Sequence, residues 1–416
     1  MIVRLSHLAK RTFSTPSASS NGPLSGIKIL DLTRILAGPS CTMTFADFGA
    51  DVYKIEHIKG GDGTRNWAPF LKGSKMSSYF VSLNRNKKSV CVNFQSVEGQ
   101  KLLRDFAQKC DVLIENYVPG VLQKYGLDYD SLKNIAPRLV YCSITGFGSE
   151  GPYATKPGVD LIAASYTAFL NMTGPKNGEP CRTAVSTIDL MTGLHAEGAI
   201  LAALLERHRT GYGRKIDANL FSTGIWALGA YAMNYLNLGL EASRMGTEHE
   251  SVVPYKSFKS KDGYITAGAI NDHQFNEFCS ILSVPELSAD KRFLSCKDRA
   301  ENREALYEIV EPIFCEKTTT EWCELLSGTS LPHAPLNTVS QLFDDPHLKA
   351  VKIVKEVDQP SVGTVKVTDS AVRFNDYARD WRPAPTLGQH TREVLMSELG
   401  YSDEEIDRLR NADVIR

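Results

Sequence analysis

Between residues 27 and 220, short β-branched runs alternate with stretches of helical periodicity, and few folds accommodate that pattern. Residues 27–32, 51–55, 89–94, 111–114 and 138–142 read as strands. Between the third and fourth of these, Leu103, Phe106, Ala107 and Cys110 repeat at helical spacing. Such alternation predicts βαβ units and a mainly parallel sheet. Ligands on these sheets bind at the carboxyl ends of the strands. Three chemically rich loops fall there: residues 34–39, 56–65 and 115–120.

The middle of the chain is more helical. Residues 160–172, 190–208 and 225–238 read as helices, and Gly211 and Gly213 close the second. Residues 214–219 read as one more strand. Near Glu241 the pattern changes. Residues 255–270 predict a hairpin turning at Asp262-Gly263, followed by helices around 274–282, 303–314 and 319–326. Strands return after Pro335, notably at residues 363–367, and a capping box of Ser402 with Glu405 opens a final helix. The expected fold class is therefore α/β. A large Rossmann-like domain comes from residues 23–225 and 335–416, and a smaller α+β domain from residues 240–330.

With 47 Lys+Arg against 48 Asp+Glu in 416 residues, the charge is balanced, which argues against a nucleic-acid partner. The nine cysteines are scattered without a CxxC, so neither a disulfide framework nor a metal site is expected. No continuous apolar run reaches membrane-spanning length, so no membrane partner is expected. Residues 1–22 carry Arg4, Lys10 and Arg11, many Ser and Thr, and no acid, and the first acid is Asp31. That composition reads as a mitochondrial transit peptide and predicts a matrix location.

No P-loop, GxSxG or HExxH occurs. Several blocks carry a resemblance instead. They are residues 23–39, residues 48–56 with Gly61-Asp62-Gly63-Thr64-Arg65, residues 84–89, and residues 111–120. Asp189-Leu190-Met191-Thr192-Gly193, Pro254-Tyr255 and Pro335-Leu336-Asn337-Thr338 complete the set. In this order they resemble family III CoA-transferases, from about Pro23 to the C-terminus. Among these, the chain looks most like the mitochondrial succinyl-CoA–glutarate group.

The resemblance implies a homodimer of interlocked subunits. It implies no permanently bound cofactor, with a coenzyme A thioester as substrate and a dicarboxylic acid as acceptor. It also implies that Asp189 is the nucleophile. Taken alone, Asp189 reads as a helix N-cap before an apolar run. A carboxylate nucleophile divides a difficult exchange into easier covalent steps. Ile35, Leu36, Asn116 and Lys124 match positions that contact CoA, Lys88 lies in a basic block, and Lys156 could reach a phosphate. His57 stands where many members have arginine beside the nucleotide. For a distal carboxylate, Arg182, Arg65 and Arg244 are candidates.

The same fold serves α-methylacyl-CoA racemases, which need a histidine for proton transfer. Val159 occupies that position in Pro157-Gly158-Val159-Asp160, and valine moves no proton. Asp160 is either structural or orients Asp189. Formate–oxalate and carnitine exchange are the sibling activities, and a non-enzymatic CoA-binding protein is the alternative from another class.

Overall fold

The computed structural model describes residues 22–375 and 377–416. The basic leader lies outside the described residues. The chain begins β1 Lys28–Asp31, α1 Ala37–Asp47, β2 Asp51–Glu56, α2 Ser78–Asn84, β3 Lys88–Cys91, α3 Val97–Ala107, β4 Val112–Glu115, α4 Tyr129–Leu132 and β5 Val140–Thr145. Then come α5 Asp160–Tyr166, α6 Phe169–Met172, α7 Thr187–Thr210, β6 Lys215–Asn219, α8 Leu220–Ala227 and α9 Ala230–Leu238.

Six strands form one parallel sheet in the order β3-β2-β1-β4-β5-β6. The order in which successive strands are added reverses between β1 and β4, and a crevice opens at such a switch point. Strands β1 to β5 are short and almost wholly buried, as expected of a sheet covered on both faces, while the edge strand β6 is partly exposed. On one face, Leu102, Leu103 and Phe106 of α3 pack with Leu30, Tyr53, Val90 and Leu113. On the other, α7 packs against α1, β5 and β6.

Two compact units result. Of the described residues, the first combines those within 22–160, 187–223 and 353–416, and the second residues 161–186 and 224–352. The second unit holds a three-stranded antiparallel sheet around the expected hairpin, Tyr255–Lys259 with Tyr264–Gly268, joined by His333–Pro335. Its core stacks Phe258 on Phe314 at 4.2 Å, with Phe278 and Trp322 beside them.

These units depart from the sequence expectation at two places. Residues 161–186 join the second unit, where Arg244 donates to the carbonyls of Asn171 and Gly178. The return to the first unit comes at residue 353 rather than 335. His333–Pro335 completes the small sheet, and helices Val339–Asp344 and Pro346–Val351 follow it.

Two expected helices are also each broken in two. Ala168, at φ 60°, separates α5 from α6, and Gly229, at φ 52°, separates α8 from α9. The capping box of Ser402 with Glu405 is present. All nine cysteines are unpaired.

By length and composition alone, α7 could cross a membrane, which corrects the expectation that no segment reaches that length. Its packing against α1 and the sheet gives the apolar residues a different use. That packing is unusually close at Gly193. A Cβ there would lie 2.7 Å from the Ala37 carbonyl and 2.7 Å from Ser40 Oγ. The Gly193→Ala substitution is therefore expected to cost about 1–3 kcal/mol of stability, measured by denaturant unfolding. Wild-type stability in that variant would show that the two helices can separate freely.

Candidate functional site

At the switch point, residues 34–37 after β1 and 116–119 after β4 form two walls of a cleft of about 200 Å³. Thr145 and Gly146 after β5, residues 156–159, Asp189 and Leu220 complete it. The cleft thus brings together Ile35, Leu36, Asn116, Lys156 and Asp189, which are scattered across 155 residues of sequence. Two strands of main chain cross in its wall at Gly146 and Gly158. A Cβ on either would come within 2.5 Å of the other's Cα, so only glycine fits.

The loop after β1 is held by its neighbours on three sides. Asn116 bonds the Arg34 backbone twice, its Oδ1 accepting from the amide at 2.9 Å and its Nδ2 donating to the carbonyl at 2.7 Å. The Arg34 guanidinium lies 4.4 Å from the centre of the Tyr117 ring. Ile35 adopts φ 72°, a strained state for a β-branched residue. Its amide donates to Asp62, which also pairs with the buried Lys54 at 3.0 Å.

Beneath the loop, three acids and three bases share one buried region. Lys54 meets Asp62, Lys87 meets Asp31 at 3.3 Å, and Arg65 grips Glu56 through two bonds. Burial alone would raise the Asp31 carboxyl, but Lys87 and Lys54 outweigh it and hold it low. Burial lowers the Lys87 ammonium to about 8, with Asp31 opposing.

Asp189 lies in the first turn of α7, which begins at Thr187, so it is not the cap that its sequence context suggests. The capping acceptor is Asp160. Its Oδ1 receives the amides of Ile188 at 2.9 Å and Asp189 at 3.1 Å. Burial pushes the Asp189 carboxyl up to about 7, and the charge of Asp160 adds to the shift.

The other expected contacts scatter. His57 lines an adjoining recess of about 240 Å³ with Arg34, Phe94, Gln95 and Tyr117, and its Nδ1 accepts the Lys59 amide. Lys124 is exposed in the turn Leu122–Tyr125 and lines neither recess. Lys88 sits at the amino end of β3, away from the cleft, and pairs with Glu393 at 3.0 Å. Its neighbour Lys87 is the cation that reaches the buried network, a distinction that no periodicity separates in two adjacent lysines. Arg65 is committed to Glu56 and to the Pro385 carbonyl, which removes it as a carboxylate receptor. Arg182 and Arg244 belong to the second unit. Among the described residues, no cluster could hold a metal ion.

Residues 24–391 match the profile of CoA-transferase family III. The chain belongs to that family. It is 44% identical to a human succinyl-CoA:glutarate CoA-transferase, over 94% of this chain and 90% of the relative. An Agrobacterium fabrum succinate–glutarate CoA-transferase is 35% identical over 90% and 95%. The crystal structure of a CAIB/BAIF family protein from Brucella suis superposes with a TM-score of 0.79 at 38% identity, covering 90% of this chain and 98% of that one.

One further group near the family cleft escaped the motif reading. Glu115, at the end of β4, is buried, and its Oε2 accepts the Tyr117 amide at 2.7 Å. Burial pushes its carboxyl from an ordinary 4.5 up to about 7, against hydrogen bonds from Ser143 and Tyr117. The folded state therefore prefers the protonated form. Stability from this group is lost as pH rises from about 4.5 through 7. The Glu115→Gln variant should melt above wild type at pH 8 and match it near pH 4, measured by thermal unfolding across that range. An equal difference at both pH values would remove Glu115 as the cause.

Proposed function

We propose that this enzyme moves CoA from succinyl-CoA to a dicarboxylic acid such as glutarate, with Asp189 as the covalent nucleophile. The observation that carries this reading is the placement of a desolvated carboxylate in a cleft walled by the loops after β1 and β4. The names of the relatives at 44% and 35% identity support the choice of acids.

In the first step an Asp189 oxygen attacks the thioester carbonyl carbon. A C–O bond forms, the C–S bond breaks, and the electron pair leaves with CoA thiolate. The thiolate then attacks the anhydride at the Asp189 carbonyl, giving an enzyme thioester and free succinate. The acceptor carboxylate attacks that thioester to form a second anhydride, and returning thiolate yields the new acyl-CoA and the free carboxylate. Thioester energy is kept if water is excluded, which suits a lining that includes Ile35, Leu36, Val118, Pro119, Val159 and Leu220. Arg34 and Lys156 are the cations of the cleft and suit a polyanionic substrate. Leu36 gives α1 no side-chain cap, so the first-turn amides are available to an anion.

Val159 lines the cleft, and no histidine does so among the described residues. That favours acyl transfer over proton transfer at an α-carbon. Exposed Trp226, Tyr235, Leu236 and Leu238 in the second unit, and Leu194 and Leu205 on α7, support a homodimer. A mitochondrial matrix location follows from the leader's composition.

Incubation with succinyl-CoA and a panel of dicarboxylates, followed by chromatography of the CoA esters, tests the substrate. Glutaryl-CoA should form, and Asp189→Ala should reduce its rate by at least about a thousandfold. Transfer undiminished in that variant would overturn the nucleophile assignment, and no dicarboxylate product would overturn the substrate.

A further inference from the structure

We infer that Asp160 is a positioning residue whose charge drives the reaction forward by repelling Asp189 in its free form but not in its acylated form. The inference rests on the reading of Asp189 as the acyl-accepting carboxylate. Two observations carry it. The Asp160 carboxylate occupies the start of α7 by accepting the amides of Ile188 and Asp189. It thereby takes two of the helix-terminal donors, which are then not open to a negative Asp189 in the first turn. Asp189 is in addition partly buried, which raises its carboxyl, and Asp160 is the charged neighbour that adds to the effect.

A carboxylate in this position is less stable than one in water, and every step that removes its charge is favoured. Attack on the thioester does that. The Asp189 oxygen gains a bond to the acyl carbon, the C–S electron pair departs on sulfur, and the negative charge leaves the side chain with CoA. The anhydride and the later enzyme thioester are neutral at Asp189, so the repulsion from Asp160 is absent while they exist. The bonds from the Ile188 and Asp189 amides to Asp160 do not involve the Asp189 carboxyl, so its acylation leaves them in place. The other charged side chains of the cleft, Arg34 and Lys156, are cations, and neither figures among the causes of the Asp189 shift.

The Asp160→Asn variant separates charge from capping, because its amide oxygen still accepts from both backbone amides. Intact wild-type and variant enzymes are treated with succinyl-CoA across pH 5–9. The covalent adduct at Asp189 is quantified by mass spectrometry, and kcat/KM is measured in parallel. The expected result is a fall of about one pH unit in the acid limb of the variant's kcat/KM profile. The fraction of enzyme held as adduct should fall about tenfold, the equivalent of that unit. An unchanged profile with an unchanged adduct fraction would overturn the inference and leave Asp160 a cap alone. A wild-type enzyme that forms no adduct at Asp189 would overturn the nucleophile reading and this inference with it. Melting curves of Asp160→Asn and Asp160→Ala identify loss of the cap, which lowers stability without moving the pH limb.

Discussion

The cleft depends on the buried set of ion pairs under the carboxyl ends of β1 and β2. Lys54–Asp62, Lys87–Asp31 and Arg65–Glu56 balance three positive against three negative charges in a region where only Arg65 keeps partial exposure. Removing one partner would strand its opposite in low dielectric, which typically costs about 3–5 kcal/mol. Such a set is therefore kept whole or not at all. Its geometry is transmitted upward. Asp62 fixes the Ile35 amide, and Lys54 also bonds the Thr33 carbonyl at 2.9 Å, so the residues on either side of Arg34 are anchored from below. The strained φ of Ile35 persists because these bonds over-determine it.

The sheet was legible because its signal is local. Each strand is a short β-branched run, and the helical spacing of Leu102 to Phe106 marks the α3 face that covers it. Resemblance blocks that end in the loops after β1 and β4 name Ile35, Leu36 and Asn116, a separate block at the start of α7 names Asp189, and Lys156 enters only as a cation able to reach a phosphate. What could not be read was connectivity through space. Asp160 caps a helix that starts 27 residues later, and nothing in the residues around either position signals it. The choice of Lys87 over Lys88 depends on which ammonium turns inward beside Asp31. The split of residues 160–172 turns on one left-handed alanine, which helical periodicity cannot anticipate.

Two carboxyls near the cleft are pushed up to about 7, for related reasons. Glu115 is buried at a strand end, and Asp189 is buried at a helix start whose donors are already taken. Glu115 holds the Tyr117 amide, next to the Asn116 that holds Arg34. The proposed nucleophile, and the Glu115 beside the loop that faces it, are thus both carboxyls raised by burial. The sheet supplies a rigid frame, and the adjustable electrostatics are confined to the two loops and one helix end above it.

Gly193 lies one turn beyond Asp189, on the same side of α7, and meets the first residue of α1 with no side chain between. The spacing between the backbone of α7 near Asp189 and the start of α1 is thereby set by close main-chain contact, with no side chain as a spacer. Under the proposed chemistry, selection among acids then falls to the rest of the cleft lining, at residues such as Val159, Lys156 and Leu220.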